Sequence, residues 1–162
     1  LRVNSSVHKT ELDGACHCGA IRVRFQSTLP VAQIQVRACQ CSFCRTHGAL
    51  SVSDPQGRLI FEVADPKALV RYRFGLKLSD FLICARCGVY LGVYMDDPGG
   101  ALGVLNLNVL KERDRFPAPT AMDYEGESVS ERLQRRRARD DEDAACPDRI
   151  VAAWPGHGAR AP

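Results

Sequence analysis

The sequence predicts an all-β protein, an antiparallel sandwich or an open barrel of short strands. Two observations carry this prediction. Apolar and polar residues alternate with a period of two in several segments, and turn signals separate those segments. No amphipathic helix is recognisable before about residue 120. The chain has 162 residues, of which 45% are hydrophobic, and this is enough for one domain with a real core.

The predicted strands follow one another through the first two thirds of the chain. Alternation is clearest at residues 21–25, 34–38, 70–74 and 105–109, and each of these segments is typical of a half-buried strand. In two of them the polar side, which includes Arg37 and Asn106, is expected to face solvent. Mainly apolar strands are predicted at 59–63, 81–83 and 89–95, with turns at 54–57, 65–66 and 96–100.

The strand pattern fades after residue 110, and this divides the chain into a predicted domain at 10–117 and a polar tail at 118–162. Ser128-Val129-Ser130-Glu131 matches a capping box and predicts a short helix near 129–138. The basic run at 135–139 is followed by acidic residues at 140–143. We interpret this segment as a solvated end of the chain whose opposite charges partly cancel.

Charge and hydropathy argue against two classes of partner. Lys plus Arg total 22 and Asp plus Glu total 19, a net charge of +3 that is too balanced to indicate nucleic-acid binding. No apolar run approaches the ~20 residues of a membrane span. The given sequence begins at Leu1 and shows no signal peptide, which favours a reducing, cytoplasmic location.

Seven of the eight cysteines lie in three tight clusters, at 16–18, 39–44 and 84–87. Disulfides between such close neighbours are strained, whereas the same crowding suits a zinc ion with about four soft ligands. Gly88 would let the last cluster turn back with positive φ. The sequence therefore predicts zinc-binding knuckles at strand ends, with disulfides or a catalytic dithiol as the alternative. The remaining cysteine, Cys146, stands in the polar tail and is expected to be unliganded.

Seven thiols fit one closed site and one site with three cysteines. Spacing alone does not decide the partition, because Cys41 and Cys44 could equally pair with Cys84 and Cys87 as a zinc ribbon. The three-cysteine arrangement would leave one position open for water or a substrate thiol.

Four motifs together resemble the glutathione-dependent formaldehyde-activating enzyme family, whose domain is shared with centromere protein V. The motifs read GACHCGAI at 14–21, CQCSFCRTHGA at 39–49, YRFG at 72–75 and FLICARCGVY at 81–90. The resemblance covers about residues 12–110 and implies an all-β fold with two zinc ions. It also implies a carbon–sulfur lyase that condenses glutathione with formaldehyde, or a related aldehyde, to S-(hydroxymethyl)glutathione, or cleaves such adducts.

The resemblance also assigns the metal ligands. It implies a structural zinc held by Cys16, Cys18, Cys84 and Cys87. It implies a second zinc held by Cys39, Cys41 and Cys44, whose fourth position accepts a thiol.

The remaining candidates surround this second site. His47 could protonate the developing alkoxide or act as a fourth ligand, and the alternative is a loop histidine that makes one hydrogen bond. Arg45 flanks the knuckle, and Arg71 and Arg73 could pair with the carboxylates of glutathione, unless the last two simply belong to a solvated strand face. The alternative function is a non-catalytic zinc domain that binds glutathione or a protein partner.

Overall fold

The computed structural model describes residues 9–98, 100–141 and 148–149. The strands are β1 Thr10–Ala15, β2 Ile21–Ser27, β3 Arg37–Cys39, β4 Ser51–Val52, β5 Arg58–Val63, β6 Leu69–Tyr72, β7 Asp80–Cys84, β8 Tyr90–Met95, β9 Leu102–Asn106, β10 Thr120–Met122 and β11 Asp148–Arg149. The two α-helices are α1 Ser42–Thr46 and α2 Val129–Asp141. Four 3-10 turns lie at Val31–Gln33, Pro66–Ala68, Leu107–Val109 and Arg113–Arg115.

Three strands form a small antiparallel sheet in the order β1-β2-β5. Ile21, Val23 and Phe25 are buried on one face of β2, and the residues between them are more exposed, as the period-two pattern predicts. The pairs Ile21↔Val63 and Phe25↔Leu59 set the register between β2 and β5. This register brings apolar residues of both strands onto the same face of the sheet.

The larger sheet has the order β10-β3-β4-β9-β8-β7-β6, and β11 also pairs with β9. Its pairings are antiparallel except for β3 with β10, which run parallel. Every residue of the central strands β8 and β9 is buried. These strands are therefore covered on both faces, which explains why their sequence is a mainly apolar run and not an alternating one.

The main core lies between the two sheets and combines apolar side chains of both. Phe25 and Phe61 of the small sheet and Leu82, Leu91 and Leu105 of the large sheet are among its most deeply buried members. The two sheets are not closed into a barrel, so the predicted sandwich is confirmed.

Two strands do not have the bounds that their alternation suggested. In the segment 34–38 only the last residues join a sheet, as β3, and Arg37 is buried and not solvent-facing. Strand β9 ends at Asn106, which was expected at the surface. The buried Asn106 side chain accepts a bond from the Asn108 N–H at 3.3 Å and donates to the Tyr90 carbonyl at 2.8 Å. Because this cap begins a 3-10 turn, the chain leaves the sheet there.

The predicted C-terminal helix is present as α2. The Ser128 N–H donates to the Glu131 carboxylate at 2.7 Å, and the Glu131 N–H donates to the Ser128 hydroxyl at 3.2 Å, which is a capping box. The helix is not a solvated end throughout, because Arg135 and Arg136 are only partly exposed. The short helix α1, within a cysteine cluster, was not predicted.

The boundary at residue 117 stays a prediction, although β10 beyond it pairs with β3. No helix in the described residues is both long enough and apolar enough to cross a membrane. Cys146 lies outside the described residues.

Candidate functional site: two cysteine clusters and a cavity

The first cysteine cluster joins the two sheets. Cys16 and Cys18 lie in the turn after β1, where the Gly19 N–H donates to the Cys16 carbonyl at 3.1 Å. Cys84 ends β7, and Cys87 follows in a knuckle that the Gly88 N–H closes on the Cys84 carbonyl at 2.8 Å.

Both knuckles turn on a glycine with positive φ, Gly19 at 78° and Gly88 at 75°. A side chain at either position would be strained, so the glycine is part of the ligand arrangement. For Gly88 this is the conformation that the sequence predicted.

The four sulfurs of this cluster lie within 4.8 Å of one another. Cys18 Sγ is 3.7 Å from Cys16 Sγ and 3.7 Å from Cys84 Sγ. A tetrahedron of Zn–S bonds of about 2.3 Å has sulfur–sulfur edges of about 3.8 Å, whereas a disulfide needs about 2.05 Å. None of the seven described cysteines forms a disulfide. The geometry therefore fits a tetrahedral metal ion and not a bridge.

Electrostatics support the same interpretation. Burial acts to raise the pKa of the Cys87 thiol, but hydrogen bonds from the backbone N–H groups of Val89 and Cys18 and from neighbouring thiols lower it to about 6. The Ile21 N–H also donates to Cys16 Sγ at 3.3 Å. Backbone donors of this kind stabilise thiolates, the form that binds zinc.

The second cluster consists of Cys39, Cys41 and Cys44, whose sulfurs also lie within 4.8 Å of one another. Cys39 ends β3, and Cys41 caps α1 by accepting a bond from the Cys44 N–H at 3.4 Å. Helix α1, which the periodicity did not predict, therefore brings the thiols of the C-x-x-C segment close together. Among the described residues no His, Asp, Glu or further Cys joins this group, so it offers three protein ligands.

The thiols of the second cluster are strongly coupled. The hydrogen bond from Cys44 lowers the pKa of Cys39 to about 5, and the same bond raises the pKa of Cys44. Three neighbouring thiols cannot all ionise without a compensating charge. A divalent cation supplies that charge, and three thiolates with one vacant position are a donor set that zinc accepts.

An aromatic cluster holds α1 on the large sheet. The Phe43 ring lies 4.7 Å from Phe81, 5.0 Å from Tyr90 and 5.3 Å from Phe74. His47 packs on Phe43 at 4.2 Å, and its Nδ1 is 2.9 Å from the Phe43 carbonyl. His47 is exposed and is not among the residues that line the cavity described next, and its role as an acid or as a fourth ligand stays a prediction.

A cavity of about 650 Å³ opens beside the second cluster. All three of its cysteines line the cavity, whereas none of the four cysteines of the first cluster does. Its other described lining residues include the aromatic side chains of Phe74, Phe81 and Tyr90, together with charged, small polar and aliphatic residues. Burial raises the pKa of Tyr90 well above its usual value, and the nearby thiols act in the same direction, so its phenol stays neutral.

Five arginines line this cavity, and sequence reasoning singled out one of them, Arg45. The others are Arg37, Arg132, Arg135 and Arg136. Arg37 is two residues from Cys39, a spacing that puts both side chains on one face of a strand, and this signal was available. The α2 arginines recur at i, i+3 and i+4, which is one face of a helix.

Arg71 and Arg73 lie elsewhere. Both donate to the buried carboxylate of Asp80, Arg71 at 3.1 Å, and neither is among the residues that line the cavity. The Arg71 guanidinium also lies over the Tyr94 ring. Their predicted contact with substrate stays a prediction, and the structure gives them a structural partner.

A sequence model of the family described as glutathione-dependent formaldehyde-activating enzyme matches residues 11–127. The chain belongs to this family. Among solved structures, a crystal structure of a Rhodobacter sphaeroides protein is 27% identical, with a TM-score of 0.50, over 68% of this chain and 100% of that chain. No curated protein matches the chain significantly.

The family match and the cavity do not end at the same place. The match to the family model ends at residue 127, just before α2. Three residues of α2 nevertheless line the cavity beside the cysteines. One wall of the candidate site is therefore built from sequence that the family model does not include.

Proposed function

We propose that the protein is a zinc-dependent carbon–sulfur lyase that condenses glutathione with formaldehyde, or a related aldehyde, and that also cleaves such adducts. One observation carries the proposal. The three cysteines of the second cluster line the cavity of about 650 Å³, whereas none of the four cysteines of the first cluster lines it. In this proposal Cys16, Cys18, Cys84 and Cys87 hold a structural zinc, and Cys39, Cys41 and Cys44 hold a second zinc with one position open.

A zinc ion on the three cysteines would lower the pKa of an incoming thiol and hold it as the thiolate. The glutathione sulfur then attacks the carbonyl carbon of formaldehyde. A carbon–sulfur bond forms, the carbon–oxygen π bond breaks, and the proton lost by the thiol ends on the oxygen of S-(hydroxymethyl)glutathione. No oxidant or reductant is needed.

The residues of this chain contribute orientation and charge. With a divalent ion bound, three protein thiolates and one substrate thiolate would leave an excess of two negative charges. Arg37 and Arg45 line the same cavity and would offset that excess. Phe74, Phe81 and Tyr90 form an aromatic wall of the cavity, which would limit the access of water to the reactants. Holding the two reactants together supplies a further part of the rate enhancement.

Zinc–thiolate sites require reduced cysteines, so we place the protein in a reducing compartment such as the cytoplasm. The competing function is a zinc domain that binds glutathione without turnover. It has the same fold and the same cysteines, and only an assay separates the two.

The test uses the full chain with two readouts. Metal quantitation should give two zinc ions per chain, and formaldehyde consumption should depend on glutathione. Cobalt placed in the second site should change its absorption spectrum when glutathione is added, because a fourth sulfur ligand enters. Glutathione binding without formaldehyde consumption would favour the non-catalytic domain. A cobalt spectrum that no thiol alters would refute a vacancy on the three-cysteine site.

A further inference from the structure

Helix α2 contributes a cationic wall to the cavity that the three cysteines of the second cluster also line. Arg132, Arg135 and Arg136 all line the cavity, and their spacing puts them on one helix face. Glu125 and Glu127 are the described acidic residues of the lining, against five arginines. The cavity therefore combines three cysteine thiols, which could hold a thiol-binding metal ion, with an excess of guanidinium groups.

The wall is anchored to the rest of the protein. Arg137 Nε donates to the Asp97 carboxylate at 2.7 Å, and the Asp97 side chain is largely buried. Arg132 reaches the Tyr124 carbonyl, and the Arg135 guanidinium lies 3.9 Å above the Tyr124 ring. Together with the capping box at Ser128 these contacts fix the helix where its arginines face the cavity.

The arginines of α2 already bind one carboxylate of the protein itself, that of Glu127. Glu127 accepts bonds from Arg135 Nε at 2.5 Å, from an Arg135 terminal nitrogen at 3.0 Å and from Arg132 Nε at 3.1 Å. Each guanidinium has five N–H donors, so Glu127 does not exhaust the pair. One terminal nitrogen of Arg135 and one of Arg132 are used by neither Glu127 nor the Tyr124 carbonyl, so each of these arginines keeps donors for a second carboxylate.

We propose that α2 determines substrate specificity by binding the carboxylates of the thiol substrate, with Arg135 as the central residue and Arg132 and Arg136 beside it. This inference rests on the proposed function, and it concerns residues beyond the family match. It assigns the site to thiols that carry carboxylates, of which glutathione has two. Neutral thiols would reach the same cysteines but would lack the second point of attachment.

The test compares thiols of different charge on the full chain with cobalt in the second site. The thiols are glutathione, its dimethyl ester and 2-mercaptoethanol, and the change in the cobalt spectrum gives each dissociation constant. Arg135→Gln removes the charge, Arg135→Lys restores the charge without the guanidinium group, and Arg22→Gln on the exposed side of β2 is the control.

We expect Arg135→Gln to weaken glutathione binding about 10- to 100-fold, the range for losing a hydrogen bond to a charged group. The ester and 2-mercaptoethanol should be bound equally by the wild type and by this variant. Arg135→Lys should recover part of the loss, and Arg22→Gln should change nothing. In turnover the KM for glutathione should rise while kcat stays within a few-fold.

Two results would overturn the inference alone. One is equal affinity of the wild type for glutathione and its dimethyl ester, and the other is an equal loss for all three thiols in Arg135→Gln. If no thiol changes the cobalt spectrum of the wild type, the proposed function fails as well, so the two failures can be told apart.

Discussion

Replacing one cysteine in each cluster should separate a structural metal from a catalytic one. We expect Cys84→Ser to destabilise the whole domain and Cys44→Ser to abolish turnover in a protein that stays folded. The two positions are comparable, because both thiols are buried at 5% exposure or less, and serine is nearly the same shape. Their surroundings differ. Cys84 belongs to the main core between the sheets, and Cys44 belongs to a smaller cluster at the cavity.

The expected size of the difference follows from the metal. A structural zinc contributes about 10–16 kcal/mol, so one of four ligands accounts for about 3 kcal/mol or more. At about 2–4 °C per kcal/mol for a chain of this length, Cys84→Ser should lower the Tm by about 6 °C or more. Cys44→Ser leaves the backbone unchanged, so the Ala49 N–H still donates to the carbonyl of residue 44 at 2.9 Å. Its Tm should fall by less than about 4 °C.

Three measurements on each variant check this prediction: thermal unfolding by circular dichroism, zinc content and glutathione-dependent formaldehyde consumption. Cys44→Ser should lose one zinc and all turnover, and it should keep the other zinc. An equal fall in Tm for both variants would show that both metals are structural. Turnover that survives in Cys44→Ser would refute the role of the second cluster.

Two further predictions concern stability. At Gly14, a Cβ would lie 2.2 Å from the Val109 carbonyl oxygen, so Gly14→Ala should cost about 1–3 kcal/mol, and an unchanged Tm would contradict this close approach. Glu127→Gln should lower the free energy of unfolding by about 1–2 kcal/mol at pH 7, measured with urea. Arg135 and Arg132 lower the pKa of Glu127, so its contribution is present above the usual carboxyl pKa of about 4.3 and is lost as pH falls below it. The difference between wild type and variant should therefore shrink in acid, and a difference that grows there would refute the ion pair.

The sandwich could be predicted from the sequence because most strands obey simple periodic rules. Ile21, Val23 and Phe25 alternate with polar residues and are buried together in β2. The period-two rule fails for a polar side chain that is buried at the candidate functional site. Arg37 alternates with apolar residues as a surface residue would, yet it is buried at the cavity, where it donates to the Ser53 hydroxyl. Alternation reports which face a residue occupies, and it does not report what covers that face.

The cysteines and the basic helix α2 also depend on contacts between distant parts of the chain, which a local sequence pattern does not report. Spacing identified metal ligands but left open which clusters combine, because partners such as Cys18 and Cys84 are 66 positions apart and meet only when the two sheets pack. The charge pattern of α2 suggested a solvated end. Its contacts with Asp97 and Glu127 depend on tertiary structure that no local pattern encodes.

The two cysteine clusters use one ligand chemistry in two different surroundings. In the first cluster Cys16 follows β1 of the small sheet and Cys84 ends β7 of the large sheet, so a bound metal ties the two halves of the sandwich together. Four thiols would complete the tetrahedron of that metal, and none of them lines the cavity described above. The second cluster has three thiols, a cavity and arginines that offset its charge. In the proposed function, stability and reactivity therefore belong to different metals. Because each metal would be bound by a different set of cysteines, a single cysteine substitution should affect either stability or reactivity and not both.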